Sequence, residues 1–329
     1  MTKETLELKE IKKYLESMDI GNLLSNIILE DKILNIIIDQ PNGVNIDQEK
    51  ITKEIKHIVS KNYKEIKDTR VIFSGDKEIK PISNKRKIPN VKKIILFAAA
   101  KGGVGKSTTA ANAAIALAKL GYKIGLVDAD IYGPTIPRLL GIQQKPDISD
   151  GKMLPIKKHG IYSISIGYIV DEAQAAIWRG PMISKTLYQL LIGVNWPELD
   201  YLIIDMPPGT GDIYLSLAEN FIIDGAILVT TPQNIASSML KKSISFFNKT
   251  NIKILGVIEN MSYFVDEQGQ KHFIFGKSNA EDITKKLEIK LLETIPLMQK
   301  ISSFSDQGLS LVNEKEFYIY ENIAKIILQ

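Results

Sequence analysis

Residues 101–108, Lys-Gly-Gly-Val-Gly-Lys-Ser-Thr, place three glycines, two lysines and two hydroxyls in eight positions. That combination suits a polyphosphate. Gly102, Gly103 and Gly105 let the backbone curl so that successive N–H groups turn inward around phosphate oxygens. Lys106 is positioned to reach β- and γ-phosphates, and the Ser107 hydroxyl to hold a Mg²⁺. The plain Gly-x4-Gly-Lys-Ser/Thr pattern has glycine where this chain has Ala100. Alanine is tolerated there if the backbone stays out of the left-handed region.

Such a loop works only between a strand and a helix. The apolar run Ile94-Ile95-Leu96-Phe97 predicts a buried strand before it, and Ala110–Leu120 predicts a helix after it that stops at Gly121. The helix N-terminus adds roughly half a positive charge behind the loop. Further strands are predicted at 122–127, ending at Asp128-Ala129-Asp130, and at 201–204, ending at Asp205. Two more are predicted at 226–230 and 253–258. This alternation argues an α/β fold with a doubly wound, mostly parallel sheet, a P-loop NTPase architecture. Ligands of such sheets bind beyond the carboxyl ends of the strands, where Asp128, Asp130 and Asp205 all fall. One acidic residue there is an ordinary turn cap. Three beside a phosphate loop read as a metal–nucleotide site.

The chain of 329 residues is long enough for two domains. Residues 76–92, with two prolines, several charges and no apolar period, read as a linker that includes Lys85-Arg86-Lys87. Before it, residues 1–75 read as a small α/β domain. Helices are predicted at 6–18 and 48–60, strands at 34–38 and 70–73, and a turn at Pro41-Asn42-Gly43. No catalytic constellation stands out in that domain, and His57 is isolated. The P-loop domain is expected over 93–329.

Composition narrows the partners. Net charge is +4, from 42 basic and 38 acidic residues, which gives no case for nucleic-acid binding. No apolar stretch approaches the roughly 20 residues of a membrane span. The mixed-charge first ten residues lack a signal-type apolar core. The sequence has no cysteine, so structural disulfides are excluded, and cytoplasmic residence is the expectation.

Five segments together carry a family resemblance. They are Lys101–Thr108, Val127-Asp-Ala-Asp-Ile-Tyr-Gly-Pro-Thr-Ile-Pro-Arg138, Trp178-Arg-Gly-Pro-Met182, Asp200-Tyr-Leu-Ile-Ile-Asp-Met-Pro-Pro-Gly-Thr-Gly-Asp212 and Glu259-Asn-Met-Ser262. From about residue 93 onward the chain resembles the Mrp/ApbC family of P-loop ATPases, described as iron–sulfur cluster carriers. The N-terminal domain resembles, more faintly, the MIP18-type (DUF59) domain often fused in front. That domain usually shows Asp-Pro-Glu after its first helix, where this chain has Asp19-Ile20-Gly21.

The resemblance implies ATP, with Mg²⁺, as the nucleotide. It implies that the loop Lys101, Gly102, Gly103, Val104, Gly105, Lys106, Ser107 and Thr108 binds the phosphates. Lys101 would cross a homodimer interface to the partner's nucleotide, much as an arginine finger does. Asp130 would orient the attacking water, Asp205 would hold Mg²⁺ through a coordinated water, and Gly209 would form a loop that senses the γ-phosphate. Pro207 and Pro208 would stiffen the start of that loop. Asn260 would contact the purine edge. Apoprotein clients or cluster scaffold proteins are the partners implied.

On one point the chain departs from the family it resembles. Cys-x-x-Cys commonly follows Glu-Asn-Met-Ser, and Asp266 and Gly269 stand about where those cysteines belong. Cluster iron is held mainly by thiolates, which this chain cannot supply. The stretch 263–272 reads as a polar hairpin turn with Gly269 at its tip. Asp266, Glu267 and His272 are also donors that suit a single Fe²⁺ or Zn²⁺. Two functions therefore stand: an ATP-hydrolysing iron–sulfur carrier, or a nucleotide-switched positioning ATPase of the partition or septum-site type. The C-terminal stretch 317–328 reads as a core helix, with Tyr318, Ile319, Ile323, Ile326 and Ile327 inward, rather than a membrane tail.

Overall fold

The computed structural model describes residues 11, 14–15, 23–30, 32–40, 47–75, 85–170, 180–277 and 280–328. The expected turn at 41–43, Asp19-Ile20-Gly21, most of helix 6–18, and Trp178 and Arg179 lie outside these residues. The chain separates into two compact units, Met1–Lys80 and Pro81–Gln329.

The first unit is a three-stranded sheet. β1 (Leu24–Glu30) pairs antiparallel with β2 (Ile33–Gln40), and β2 pairs parallel with β3 (Asp68–Gly75). A parallel pair needs a crossover, here α1 (Gln48–Asn62). The helix starts where the Asp47 carboxylate accepts the Lys50 N–H at 3.0 Å. Ile55 and Val59, one turn apart, pack with Leu34, Ile36 and Ile38, which alternate on β2.

In the second unit β4 (Val91–Ala98) leads through the glycine loop into α2 (Lys106–Lys119), then β5 (Ile124–Asp128) and the short α3 (Ile136–Leu140). A small hairpin, β6 (Ile148–Ser149) and β7 (Lys152–Met153), precedes β8 (Ile156–Lys158) and β9 (Ile161–Ser165). The chain continues with α4 (Gly180–Ile192), β10 (Leu199–Asp205), α5 (Asp212–Asn220), β11 (Gly225–Thr230) and α6 (Asn234–Lys249). It closes with β12 (Ile254–Glu259), the hairpin β13 (Phe264–Val265) and β14 (Lys271–His272), α7 (Ala280–Lys286), β15 (Leu291–Thr294), α8 (Gln299–Gln307) and α9 (Tyr318–Ile327).

Eight strands form one sheet in the order β15-β12-β11-β4-β10-β5-β9-β8, parallel throughout except the edge strand β8. Strands covered on both faces lose the apolar–polar alternation, which is why Ile94 to Ala98 of β4 are all buried. β8, β9 and β15 are additions to the five expected strands.

Three expectations shift. α2 begins at Lys106 rather than Ala110, because left-handed Gly105 (φ 80°) is itself the turn into the helix. The second half of the expected linker belongs to the ATPase-like unit. Arg86 pairs with Phe221, its N–H donating to Asn220 O at 2.8 Å, and Ile88 is buried. In α9 the buried stripe is Ile319, Tyr320, Ile323, Ala324 and Ile327, whereas Tyr318 is exposed. Among the described residues no helix is long and apolar enough to cross a membrane.

Candidate functional site

The carboxyl end of the sheet carries one cross-strand row. Phe97 of β4 is level with Asp205 of β10, Asp205 with Asp128 of β5, and Asp128 with Ser165 of β9. Parallel register alone thus puts two carboxylates side by side under the glycine loop. Lys106, first residue of α2, leans onto this row: its Nζ lies 2.5 Å from Asp205 Oδ1 and 3.2 Å from Ser107 Oγ. Lys106 is 6% exposed and Asp205 is fully buried. The second carboxylate oxygen, Asp205 Oδ2, is buried with no hydrogen-bond partner.

That orphaned oxygen bears on Mg²⁺. Buried polar atoms are normally satisfied, so Oδ2 is a free hard acceptor on the carboxylate that shares Lys106 with the Ser107 hydroxyl. Mg²⁺ keeps most of its waters and takes few protein oxygens, which this donor set fits.

The loop geometry matches its glycines. Gly103 (φ 77°) and Gly105 (φ 80°) are left-handed, while Ala100 is not. A side chain at Gly105 is blocked twice, since a Cβ there would sit 2.2 Å from Asn260 Nδ2. That amide donates to Val104 O at 2.8 Å, bracing the loop from β12's end. α2 has no side-chain cap, so its first N–H groups remain free for an anion.

Asp128 accepts from the Asp130 N–H (3.2 Å), the Ile136 N–H (3.1 Å) and Ser165 Oγ (3.0 Å). Burial and the neighbouring Asp205 charge push its carboxyl up to about 8, against the pull of the Ile136 N–H, Lys106 and Ser165. Asp130 is also raised, by burial first, with Asp205 adding to the shift and Lys106 opposing it. The loop after β10 is tied down: Met206 N–H donates to Phe97 O (3.0 Å), Gly209 N–H to Ala99 O (2.9 Å) and Tyr214 OH to Pro207 O (2.8 Å). Gly209 is left-handed at φ 96°.

A cavity of about 460 Å³ is lined by residues 101–108, Asp130, Pro208 and Asn260. That volume is in the range of small-ligand sites. The same cavity reaches Arg138 of α3, which closes one of the five family segments, and the segment 296–298 and Ile301 of α8, which sequence reasoning did not single out. Pro296 follows β15, so the strand-end rule would have found it had β15 been seen. Lys101 Nζ donates to Gln233 Oε1, also unanticipated.

The stretch 263–272 is the expected hairpin turn. Asp266 Oδ1 accepts from the Gln268 and Gln270 N–H groups (3.0 and 2.8 Å), and Asp266 Oδ2 lies 2.6 Å from His272 Nε2. The His272 contact and the Gln270 amide hold the Asp266 carboxyl below its ordinary range. Gly269 (φ 81°) forms the tip. Among the described residues no three His, Cys, Asp or Glu side chains converge as a metal site.

Residues 90–329 match the family described as NUBPL iron-transfer P-loop NTPase. The iron–sulfur cluster carrier protein of Rickettsia felis is 42% identical over 297 residues, covering 89% of this chain and 90% of that one. The iron–sulfur cluster carrier protein of Escherichia coli K12 is 47% identical over 253 residues, 75% of this chain and 69% of that one. Among solved structures, the nucleotide-binding protein of Archaeoglobus fulgidus in complex with ADP superposes with a TM-score of 0.62 at 33% identity, over 74% of this chain and 95% of that chain. The septum site-determining protein MinD of Pyrococcus horikoshii, complexed with Mg-ADP, shares the fold with a TM-score of 0.54 at 22% identity, over 72% and 96% of the two chains. Phosphate loop, paired strand-end carboxylates and these matches agree: the chain belongs to the iron-transfer P-loop NTPases.

Proposed function

We propose that this protein binds and slowly hydrolyses Mg·ATP in the service of iron–sulfur cluster assembly, with the thiolates for the cluster supplied by a partner or a small-molecule thiol. The observation that carries the nucleotide half is the buried Lys106–Asp205 pair beneath an open glycine loop. The family match and the named relatives support the cluster half.

In this reading Lys106 leaves Asp205 for the β- and γ-phosphates, and the N–H groups of the loop and of α2 take the phosphate oxygens. Ser107 and, through water, Asp205 would hold Mg²⁺, which neutralises phosphate charge when bound. Asp130, half-buried at the cavity wall, orients the attacking water. Gly209 reports the γ-phosphate by exchanging its bond to Ala99. Asn260 meets the purine edge as well as bracing Val104. Lys101 serves the nucleotide of a second copy, so the working unit is a homodimer, in the cytoplasm. The N-terminal unit is taken as a divergent MIP18-type domain. The positioning-ATPase reading loses ground, since its structural kin share the fold at 22% identity whereas cluster carriers match at over 40%.

The cargo does not fit the chain's own donors. With no cysteine in the sequence and Asp266 held in its turn, no residue set among the described residues replaces thiolate ligation. Anaerobic reconstitution with iron and sulfide, desalting and an absorbance scan provide the test. Protein alone should emerge without sulfide-to-iron absorbance, and cluster transfer to an apoprotein should require added thiol or a cysteine-bearing partner. A cluster that survives desalting without thiol would overturn the ligand argument. ATPase stimulation by DNA or liposomes, with none by apoprotein, would favour the positioning role.

A further inference from the structure

The two lysines of the loop are held differently. Lys106 rests on a carboxylate, whereas Lys101 donates its ammonium to the neutral side-chain carbonyl of Gln233. Gln233 hangs from the strand next to the loop's own: β11 pairs with β4 up to Leu228 and Ala98, Gln233 lies three residues past the end of β11, and Lys101 three past Ala98. It is also the residue immediately before α6. Both side chains are half-buried, and Lys101 lines the nucleotide cavity. A lysine read as a ligand to another subunit's nucleotide is therefore engaged within its own subunit.

We propose that Gln233 is a positioning residue that restrains Lys101 on its own subunit, so that nucleotide-driven dimerisation includes release of this contact. The inference rests on the reading of Lys101 as a ligand to the partner's nucleotide. An amide oxygen suits this task. It holds an ammonium well enough to fix its direction, yet triphosphate oxygens, being charged, outcompete it. A carboxylate in the same place would compete far better. The symmetry of a two-fold dimer doubles the effect, since two lysines must be released for each dimer formed. A restraint worth about threefold per site then changes the dimer dissociation constant by about tenfold.

Sedimentation velocity with a non-hydrolysable ATP analogue at saturation, over a protein dilution series, tests this with wild type, Gln233→Ala, Gln233→Glu and Lys101→Ala. Gln233→Ala should form the dimer at about tenfold lower protein concentration than wild type, and Gln233→Glu only at about tenfold higher. In a Lys101→Ala background the two substitutions at 233 should make no difference, because the restraint has nothing to act on. Gln233→Ala weakening the dimer would overturn the proposal, as would Gln233→Glu acting equally with and without Lys101. A wild-type protein that stays monomeric, or a Lys101→Ala variant that dimerises and hydrolyses ATP normally, would remove the underlying reading of Lys101 and this proposal with it.

Discussion

Lys106 and Asp205 form a buried ion pair, with Nζ 2.5 Å from Oδ1, at the spot where a nucleotide must be received. The pair keeps each buried charge compensated, and the lysine is the partner with somewhere else to go. Removing one member leaves an uncompensated buried charge, a loss of about 3–5 kcal/mol. Lys106→Ala should thus lower apo stability by that order in urea unfolding. It should also weaken ATP binding by at least about 100-fold, since a charge-assisted contact to the triphosphate disappears. Lys106→Ala with Asp205→Ala should regain much of the stability and none of the binding. Tight ATP binding by the single variant in calorimetry would contradict the assignment of the loop.

Gly105 faces two obstacles to substitution, its φ of 80° and the Asn260 amide at 2.2 Å from a Cβ. Gly105→Ala should cost about 1–2 kcal/mol for the left-handed backbone alone, plus the displacement of Asn260 from Val104. Adding Asn260→Ala relieves only the second part. Urea unfolding without nucleotide should therefore rank stability as wild type, then the double variant, then Gly105→Ala. Equal stability of the last two would mean that Asn260 does not crowd the loop.

Lys101→Ala should leave ATP bound, because the remaining phosphate contacts come from the protein's own loop. Its kcat should fall at least about 100-fold, in the manner of a missing arginine finger. Steady-state kinetics at high protein concentration read this directly. A KM effect with kcat unchanged would assign Lys101 to binding within one subunit.

Asp128 gives the apo protein a pH signature. Its carboxyl, pushed up to about 8 by burial and Asp205, has a folded-state pKa above the unfolded value of about 3.9. Folding takes up a proton between these values, so the associated stability is fully present below about pH 4 and is lost as pH rises through about 8. Scanning calorimetry of the nucleotide-free protein should show Tm falling by at least about 2 °C between pH 6 and 9. Asp128→Asn should start lower, having exchanged one acceptor for a donor opposite the Asp130 N–H, but should lack this fall. Parallel slopes for the two proteins would show that another group carries the titration.

The phosphate loop, its strand, its helix and the strand ends at Asp128 and Asp205 were legible in the sequence. Their signals are local: glycine spacing, an apolar run of strand length, an alanine-rich stretch. The absence of a thiolate cluster site was equally legible, since no arrangement in space creates a missing side chain. Other features were not readable because they depend on register and on which strands become neighbours. Level pairing of β10 with β4 and β5 aligned Phe97, Asp205 and Asp128, and that alignment adds the Asp205 charge to the burial that raises the Asp128 carboxyl. Asn260 reaches Val104 across 156 positions of sequence, and Lys101 reaches Gln233 across 132. At 263–272 the turn was readable from its polar residues and Gly269, whereas the Gln268 and Gln270 amides on the Asp266 carboxylate were not. Sequence determined which groups are present, and tertiary structure determined which of them meet, because a charge acquires its partner and its proton affinity only from what the fold packs beside it.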